Sequence, residues 1–212
     1  MSNYIITIAR GLGSGGSHVA RRLSKQLGIP YYDEEILEMA SEYSGINEEY
    51  FEEANEKIKK SQLTINNSKG MYTGIIYSVN EKEYLSNENL FNFEAKVIKD
   101  LAVGGKTSCI IIGKAANSII GSLKNVITVN IQAPLEYCVK NIMERRALSE
   151  KEATELIKKT NKYRRDYYKY YIGREWDATT EYDISLNTSH MGEEYATKII
   201  VDFLNYKLGT NY

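Results

Sequence analysis

The chain has 212 residues, 27 Lys and Arg against 28 Asp and Glu, a net charge of −1 and 42% hydrophobic residues. That length supports one full core with room for a small lid or an inserted piece. The near-neutral balance gives no case for nucleic-acid or membrane-surface binding. No apolar run approaches the roughly eighteen residues of a bilayer span, and the N-terminal segment lacks signal-peptide layout. Cys109 and Cys138 are the two cysteines, with no metal-ligand spacing around either. Cys109 lies in an apolar run and reads as a buried, inert thiol. These features predict a soluble cytoplasmic protein.

In chain order the pattern alternates strand and helix, which predicts an α/β fold with a largely parallel sheet. Residues 4–9 read as the first strand. They run into Arg10-Gly11-Leu12-Gly13-Ser14-Gly15-Gly16-Ser17-His18, after which Val19, Leu23 and Leu27 recur every four residues. Strand, glycine loop, helix is the setting of a phosphate site. Small residues let successive N–H groups converge on one anion, and the helix N-terminus adds partial positive charge.

Two Walker-type registers fit this loop. With Gly11 and Gly16 as framing glycines, Ser17 takes the lysine place and His18 the hydroxyl place. With Gly15 as the second frame, Gly16 replaces the lysine and Ser17 supplies a hydroxyl for Mg²⁺. The second register is preferred, because it keeps Gly-Ser-Gly at the tight turn. Both lack the lysine that ends such loops, and a ligand-free turn is the alternative for the loop taken alone.

The first helix ends near Leu27, since Gly28 suits a left-handed cap and Pro30 cannot continue a helix. Residues 29–32 read as a second strand, ending at Asp33. Residues 34–43 and 48–60 read as acidic surface helices; between Asp33 and Glu56 there are ten acids and no Lys or Arg. Residues 61–86, rich in Ser, Asn, Gly and Lys, read as a mobile insertion with a strand candidate at 74–79. A helix over 87–103 follows. The β-branched run 108–112 then reads as a strand buried on both faces. A strand at 126–131, helices at 134–146 and 150–171, a strand at 182–186 and a helix at 193–206 complete the pattern. Between Lys140 and Glu175 eleven basic residues outnumber six acidic ones. Most form a solvated face, and a few arginines are candidates to meet a polyphosphate. Five tyrosines between Tyr163 and Tyr171 read as a packed face with hydroxyls at its rim.

The run 13–23, continued by Leu27-Gly28-Ile29-Pro30-Tyr31-Tyr32-Asp33, resembles the opening of the nucleoside-monophosphate kinases. The likeness is greatest to the cytidylate kinase-like family of bacterial P-loop proteins. Ile110-Ile111-Ile112-Gly113-Lys114-Ala115-Ala116-Asn117 is similar to that family's third strand and following turn. Tyr163-Arg164-Arg165-Asp166-Tyr167-Tyr168, Gly173, Trp176, Tyr182-Asp183-Ile184 and Asn187-Thr188-Ser189 resemble its lid and last strand. The likeness spans nearly the whole chain and weakens between about residues 45 and 86.

The resemblance implies a single three-layer P-loop domain with a five-stranded parallel sheet. It also implies an acceptor-binding insertion near 34–86 and a helical lid near 145–176. The implied activity is transfer from ATP to a small phosphate-bearing acceptor, a nucleoside monophosphate such as CMP or dCMP. No strong general base is needed, because an acceptor phosphate is already an anion. In that reading Gly11, Gly13, Ser14, Gly15, Gly16, Ser17 and His18 surround the donor phosphates, and Ser17 and Asp33 meet Mg²⁺. Arg10, Arg145 and Arg164 neutralise the transferring group, while Asp33 and Lys114 position the acceptor.

Open alternatives are a surface position for Arg10, a helix N-cap for Asp33 and a packing or capping role for His18. True cytidylate kinases carry lysine where Gly16 stands, whereas the cytidylate kinase-like relatives share the glycine, often with an arginine just upstream as at Arg10. Two departures fall on the acceptor side: Lys114 where relatives usually carry arginine, and Asn161 where they usually carry aspartate. Two rival functions remain. One is a nucleotide-binding module without turnover, the other a kinase for a non-nucleotide acceptor.

Overall fold

A computed structural model of the chain describes residues 3–59, 72–76, 78, 80–105 and 107–210. The β-branched run Ile5-Ile6-Thr7-Ile8 places β1 (Ile5–Arg10) at the middle of a five-stranded sheet. The other strands are β2 (Tyr31–Tyr32), β3 (Cys109–Ile112), β4 (Val126–Gln132) and β5 (Ile184–Asn187). Their order is β2-β3-β1-β4-β5, and every pairing is parallel. Ile5 stands level with Cys109 on one side and Val126 on the other. Parallel pairing requires crossover connections, so all strand C-termini open on one edge, where ligands of such sheets bind.

Because side chains alternate across a strand, the two faces build two cores. Ile6, Ile8, Ile110, Ile112, Ile127 and Val129 pack under α1 (Gly16–Leu27) and the last long helix. Ile5, Ile111 and Val126 face the opposite layer. That layer holds α2 (Glu35–Ser44), α3 (Glu48–Lys59), the short α4 (Glu81–Tyr84), α5 (Asn87–Val103) and α6 (Ala116–Ile120). Next in the chain come α7 (Leu135–Arg146) and α8 (Glu150–Ile172), then α9 (Thr188–Leu208). Helices on both faces of the sheet make the predicted three-layer fold.

The tyrosine-rich end of α8 belongs to the second core. Tyr167, Tyr168, Tyr170 and Tyr171 are all buried. Phe91 of α5 stacks on Tyr171 with centroids 4.1 Å apart, and meets Tyr72 and Tyr167 edge-on. Truncating Phe91 to alanine is expected to cost about 3–5 kcal/mol of stability. A urea-unfolding comparison of Phe91→Ala with wild type checks this; a loss below about 1 kcal/mol would mean the aromatic cluster does not hold α5 to α8.

The helix expected from 193 is preceded by a short helical turn from Thr188, capped by Asn187, whose Oδ1 accepts from the Ser189 N–H at 3.1 Å. Gly192, at φ 72° and ψ 172°, then breaks the run. The short α6 was not anticipated. Of the strand expected at 74–79, residues 74–76 and 78 carry no regular structure, while 77 and 79, and all of 61–71, lie outside the described residues. Both thiols are buried, and burial pushes Cys109 up to about 12 and Cys138 to about 11, as inert packing groups require. Among the described residues no helix is long and apolar enough to cross a membrane.

Candidate functional site

The glycine loop connects β1 to α1, with Gly15 as the N-cap (φ 83°) and Gly16 as the first helical residue. This is the geometry of the second register. Ser14 is fully buried, and its hydroxyl donates to the carbonyls of Gly11 (2.8 Å) and Ile131 (3.0 Å), so it ties the loop to β4. Thr188 Oγ1 donates to the Ser14 carbonyl at 2.6 Å, and Asn141 Nδ2 to that of Gly13 at 2.9 Å. The loop is also crowded: a Cβ on Gly13 would lie 2.6 Å from the Cys138 carbonyl oxygen. With the carbonyls held outward, the N–H groups of Gly13, Gly15, Gly16 and Ser17 have no acceptor among the described residues. Neither has the Ser17 hydroxyl a partner there. Four unmet donors at a helix N-terminus fit a polyphosphate.

Arg10, the last residue of β1, rises beside this loop. A Cβ on Gly16 would lie 2.5 Å from Arg10 Cβ, and one on Gly113 would lie 2.5 Å from Arg10 Nη1. Its Nη2 donates to both oxygens of Asp33, at 3.0 and 2.8 Å. Arg10 is therefore no free surface arginine. Asp33 is not the cap of α2 either, since that position falls to Glu34.

Beyond Arg10 lies a cavity of about 400 Å³ at the C-terminal edge of β1, β2 and β3. Its lining includes Arg10, Asp33, Lys114, Tyr163, Arg164 and Trp176, with Glu34, Glu48, Glu52 and Asn55 on the side of α2 and α3. Arg164 Nη1 donates to the Arg10 carbonyl at 2.8 Å. Burial, then the neighbouring Arg10 guanidinium, lowers Arg164 to about 9, with Asp33 opposing. It remains a cation at neutral pH, held where an anion would relieve it. Lys114 points its ammonium to within 3.6 Å of the buried Glu94 carboxylate. Trp176, part of the lid likeness, is buried and also lines the cavity.

Arg145 is not among the residues that line this cavity. Its Nη2 donates to Glu193 Oε1 at 2.6 Å, and Nη1 lies 3.4 Å from His18 Nε2. Glu193 Oε2 is 3.3 Å from His18 Nδ1, and the same carboxylate lies against Gly15. So the structure brings Arg10, Asp33, Lys114 and Arg164 to one cavity and sets Arg145 and His18 apart on an ion-paired latch. Arg165 turns away toward Asp177 at 3.6 Å, and Arg174 pairs with Glu181 at 2.6 Å. Asn161, on α8, accepts the Leu12 N–H at 2.9 Å and acts as a tether for the loop.

Two groups escaped sequence reasoning. Glu94 is a lone carboxylate on the apolar face of α5, which is a readable signal. Glu193 carries none, because its partners Arg145 and His18 lie on other elements.

The fit to Mg²⁺ is partial. Among the described residues no group of three or more His, Cys, Asp or Glu could hold a metal on its own. Mg²⁺ commonly takes one or two protein ligands and completes its shell with phosphate oxygens and water. The unbonded Ser17 hydroxyl fits that role. Asp33, engaged by Arg10, fits it through water or after Arg10 lets go.

A model of the cytidylate kinase-like family matches residues 5–190. No curated protein matches the chain. A crystal structure of an uncharacterized protein from Eubacterium ventriosum ATCC 27560 superposes with TM-score 0.69 at 24% identity, covering 96% of this chain and 99% of that one. An unliganded sugar kinase from Janibacter sp. HTCC2649 superposes with TM-score 0.52 at 10% identity, covering 96% and 95%. At these identities the two likenesses speak for the fold alone.

Proposed function

The chain belongs to the cytidylate kinase-like family, and on that premise we propose that it transfers a phosphoryl group from Mg-ATP to a small phosphate-bearing acceptor. A nucleoside monophosphate such as CMP or dCMP is the first candidate. One observation carries this reading: the unmet N–H groups of Gly13, Gly15, Gly16 and Ser17 adjoin a cavity whose near wall holds the guanidiniums of Arg10 and Arg164. Donor cradle and acceptor chamber thus share an edge, where transfer must occur.

Such chemistry asks the protein for positioning and charge stabilisation more than for covalent help. Bound Mg²⁺ supplies charge neutralisation on the phosphate oxygens. The loop N–H groups hold the donor, with the Ser17 hydroxyl beside them. Arg10 stands in for the missing lysine at Gly16, and Arg164 spans from the Arg10 carbonyl toward the acceptor. Asp33 orients Arg10. Residues 34–86 form the acceptor-binding piece, since α2 and α3 supply the far wall. Residues 145–176 form the lid, which brings Arg164 and Tyr163 over the cavity and excludes water. Arg145 joins the donor phosphates only after leaving Glu193.

A second reading, a kinase for a non-nucleotide acceptor, draws on Lys114, Asn161 and the acidic wall. Lys114 is paired with Glu94 and cannot grip a phosphate in the bidentate manner of arginine. Asn161 is committed to the loop. Glu34, Glu48 and Glu52 add negative charge to the side where a base would lie.

The deciding experiment measures ADP release by pure protein with Mg-ATP and a panel of nucleoside monophosphates. CMP- or dCMP-dependent release is the expected result. Thermal stabilisation by ATP without turnover of any acceptor would replace transfer by nucleotide binding alone. No stabilisation by ATP would reduce the loop to a structural turn.

A further inference from the structure

Glu94 is the one fully buried charged residue among the described residues, at 3% exposure. It lies on α5 one turn from Phe91, within the aromatic packing of Phe91, Tyr167 and Tyr171. Its Oε2 accepts from the Tyr167 hydroxyl at 3.0 Å and faces Lys114 Nζ at 3.6 Å. A carboxylate in such surroundings costs stability that an apolar side chain of similar size would not. The fold alone gives no reason for an acid here.

Lys114 is unusual in a second, independent way. Gly113, Lys114 and Ala115 take left-handed backbone conformations in succession, at φ 73°, 51° and 53°. Two of the three are not glycine, so the turn after β3 is strained. Strain of this kind persists only where the surroundings over-determine it. Its effect is to bring the lysine stem into the cavity wall, with 14% of the side chain exposed, and its ammonium to Glu94.

From these two features we infer that Glu94 is a positioning residue acting through Lys114: it fixes the ammonium in place and neutralises it. Lys114 then serves the acceptor as an oriented hydrogen-bond donor to a neutral oxygen, a hydroxyl or carbonyl. Phosphate attraction is left to Arg164 and Arg10. Glu94→Gln keeps the acceptor oxygen for Tyr167 and removes only the charge, so it separates electrostatics from packing. Glu94→Asp keeps the charge on a shorter stem.

The inference rests on the phosphotransfer reading for its kinetic arm only. The test is a double-mutant cycle of Glu94→Gln and Lys114→Ala, run on two quantities. The first is calorimetric affinity for inorganic phosphate without ATP. Glu94→Gln should bind phosphate about threefold tighter or more, because Lys114 is unmasked, within the usual range of couplings between contacting residues. Lys114→Ala and the double variant should stay within about twofold of wild type, and so should Glu94→Asp. The second quantity is kcat/KM for CMP. Each single change should lower it about tenfold with KM for ATP unmoved, and the double variant should be no worse than Lys114→Ala.

Additive losses, or a Glu94→Gln variant unmoved in both measurements, would reduce Glu94 to packing and overturn the inference. If Glu94→Gln does not fold, Lys114→Ala and Glu94→Asp decide: weaker phosphate binding in the former would make Lys114 a free cation and sink the pairing. A wild type that turns over no acceptor while the phosphate cycle behaves as expected removes the kinase reading and keeps the pair. A flat phosphate cycle removes the pair whatever the turnover.

Discussion

Arg164→Gln is expected to lower phosphoryl transfer about a hundredfold or more, the loss seen when one pre-aimed donor is taken from a developing negative charge. That is about 2.7–4 kcal/mol of transition-state stabilisation. The fold should survive the change. The variant loses one hydrogen bond to the Arg10 carbonyl, worth about 1 kcal/mol net, and gains relief from the repulsion between two neighbouring guanidiniums. An Arg164→Gln enzyme of wild-type rate would remove Arg164 from the reaction and leave it a structural strut.

The same residue makes a pH-dependent statement. Burial and Arg10 lower Arg164 to about 9, well below a free guanidinium. The folded protein therefore holds this proton less tightly than the unfolded chain does. The resulting penalty is full below about 9 and fades as pH rises from there toward the range of a free guanidinium. Anion binding runs the opposite way, since only the charged guanidinium attracts an anion. Sulfate keeps a constant charge over this range and is the suitable probe. Calorimetry should show sulfate binding steady up to pH 8 and weaker as pH passes through about 9. In Arg164→Gln that step near 9 should vanish. A wild type with the same affinity at pH 7.5 and 9.5 would mean that Arg164 is not the anion's partner.

The architecture was legible where periodicity was strong. The change from an apolar run to a period of four across Gly11–Val19 announced β1, the loop and α1. The run Cys109–Ile112 announced a strand buried on both faces. The helical turn ahead of Gly192 was missed because Gly192 looks like a point before which no helix can form, while Asn187 caps one anyway. Arg10 and Arg164 were recognised by motif likeness, yet their contact spans 154 positions and no local pattern contains it. The roles of Asn161 and Glu193 were hidden for the same reason, since each is made by a partner on another element. Glu94 was within reach. It falls four residues after Leu90 and four before Ile98, on a stripe that is otherwise apolar.

Gly16→Lys, which restores the residue that such loops usually carry, should inactivate this protein rather than improve it. A Cβ at position 16 would lie 2.5 Å from Arg10 Cβ and 3.4 Å from Ile131 Cβ, and both neighbours are strand-anchored atoms that cannot swing aside. On this backbone, a side chain at position 16 and one at position 10 exclude each other. Overpacking of this kind costs about 1–3 kcal/mol. By pushing Arg10 off Asp33 it should also remove about a hundredfold of rate.

Arg10→Gly should show a similar loss of turnover, with ATP binding kept by the loop N–H groups. The informative variant combines the two. Arg10→Gly with Gly16→Lys removes the colliding Cβ and returns a cation to the donor phosphates, so its kcat should recover to within about tenfold of wild type. A Gly16→Lys protein that is stable and fully active with Arg10 in place would sink the mutual exclusion. A double variant no faster than Arg10→Gly would carry a different lesson: the work of Arg10 would then be done on Asp33 and the acceptor, and the cradle would hold its donor without any lysine equivalent.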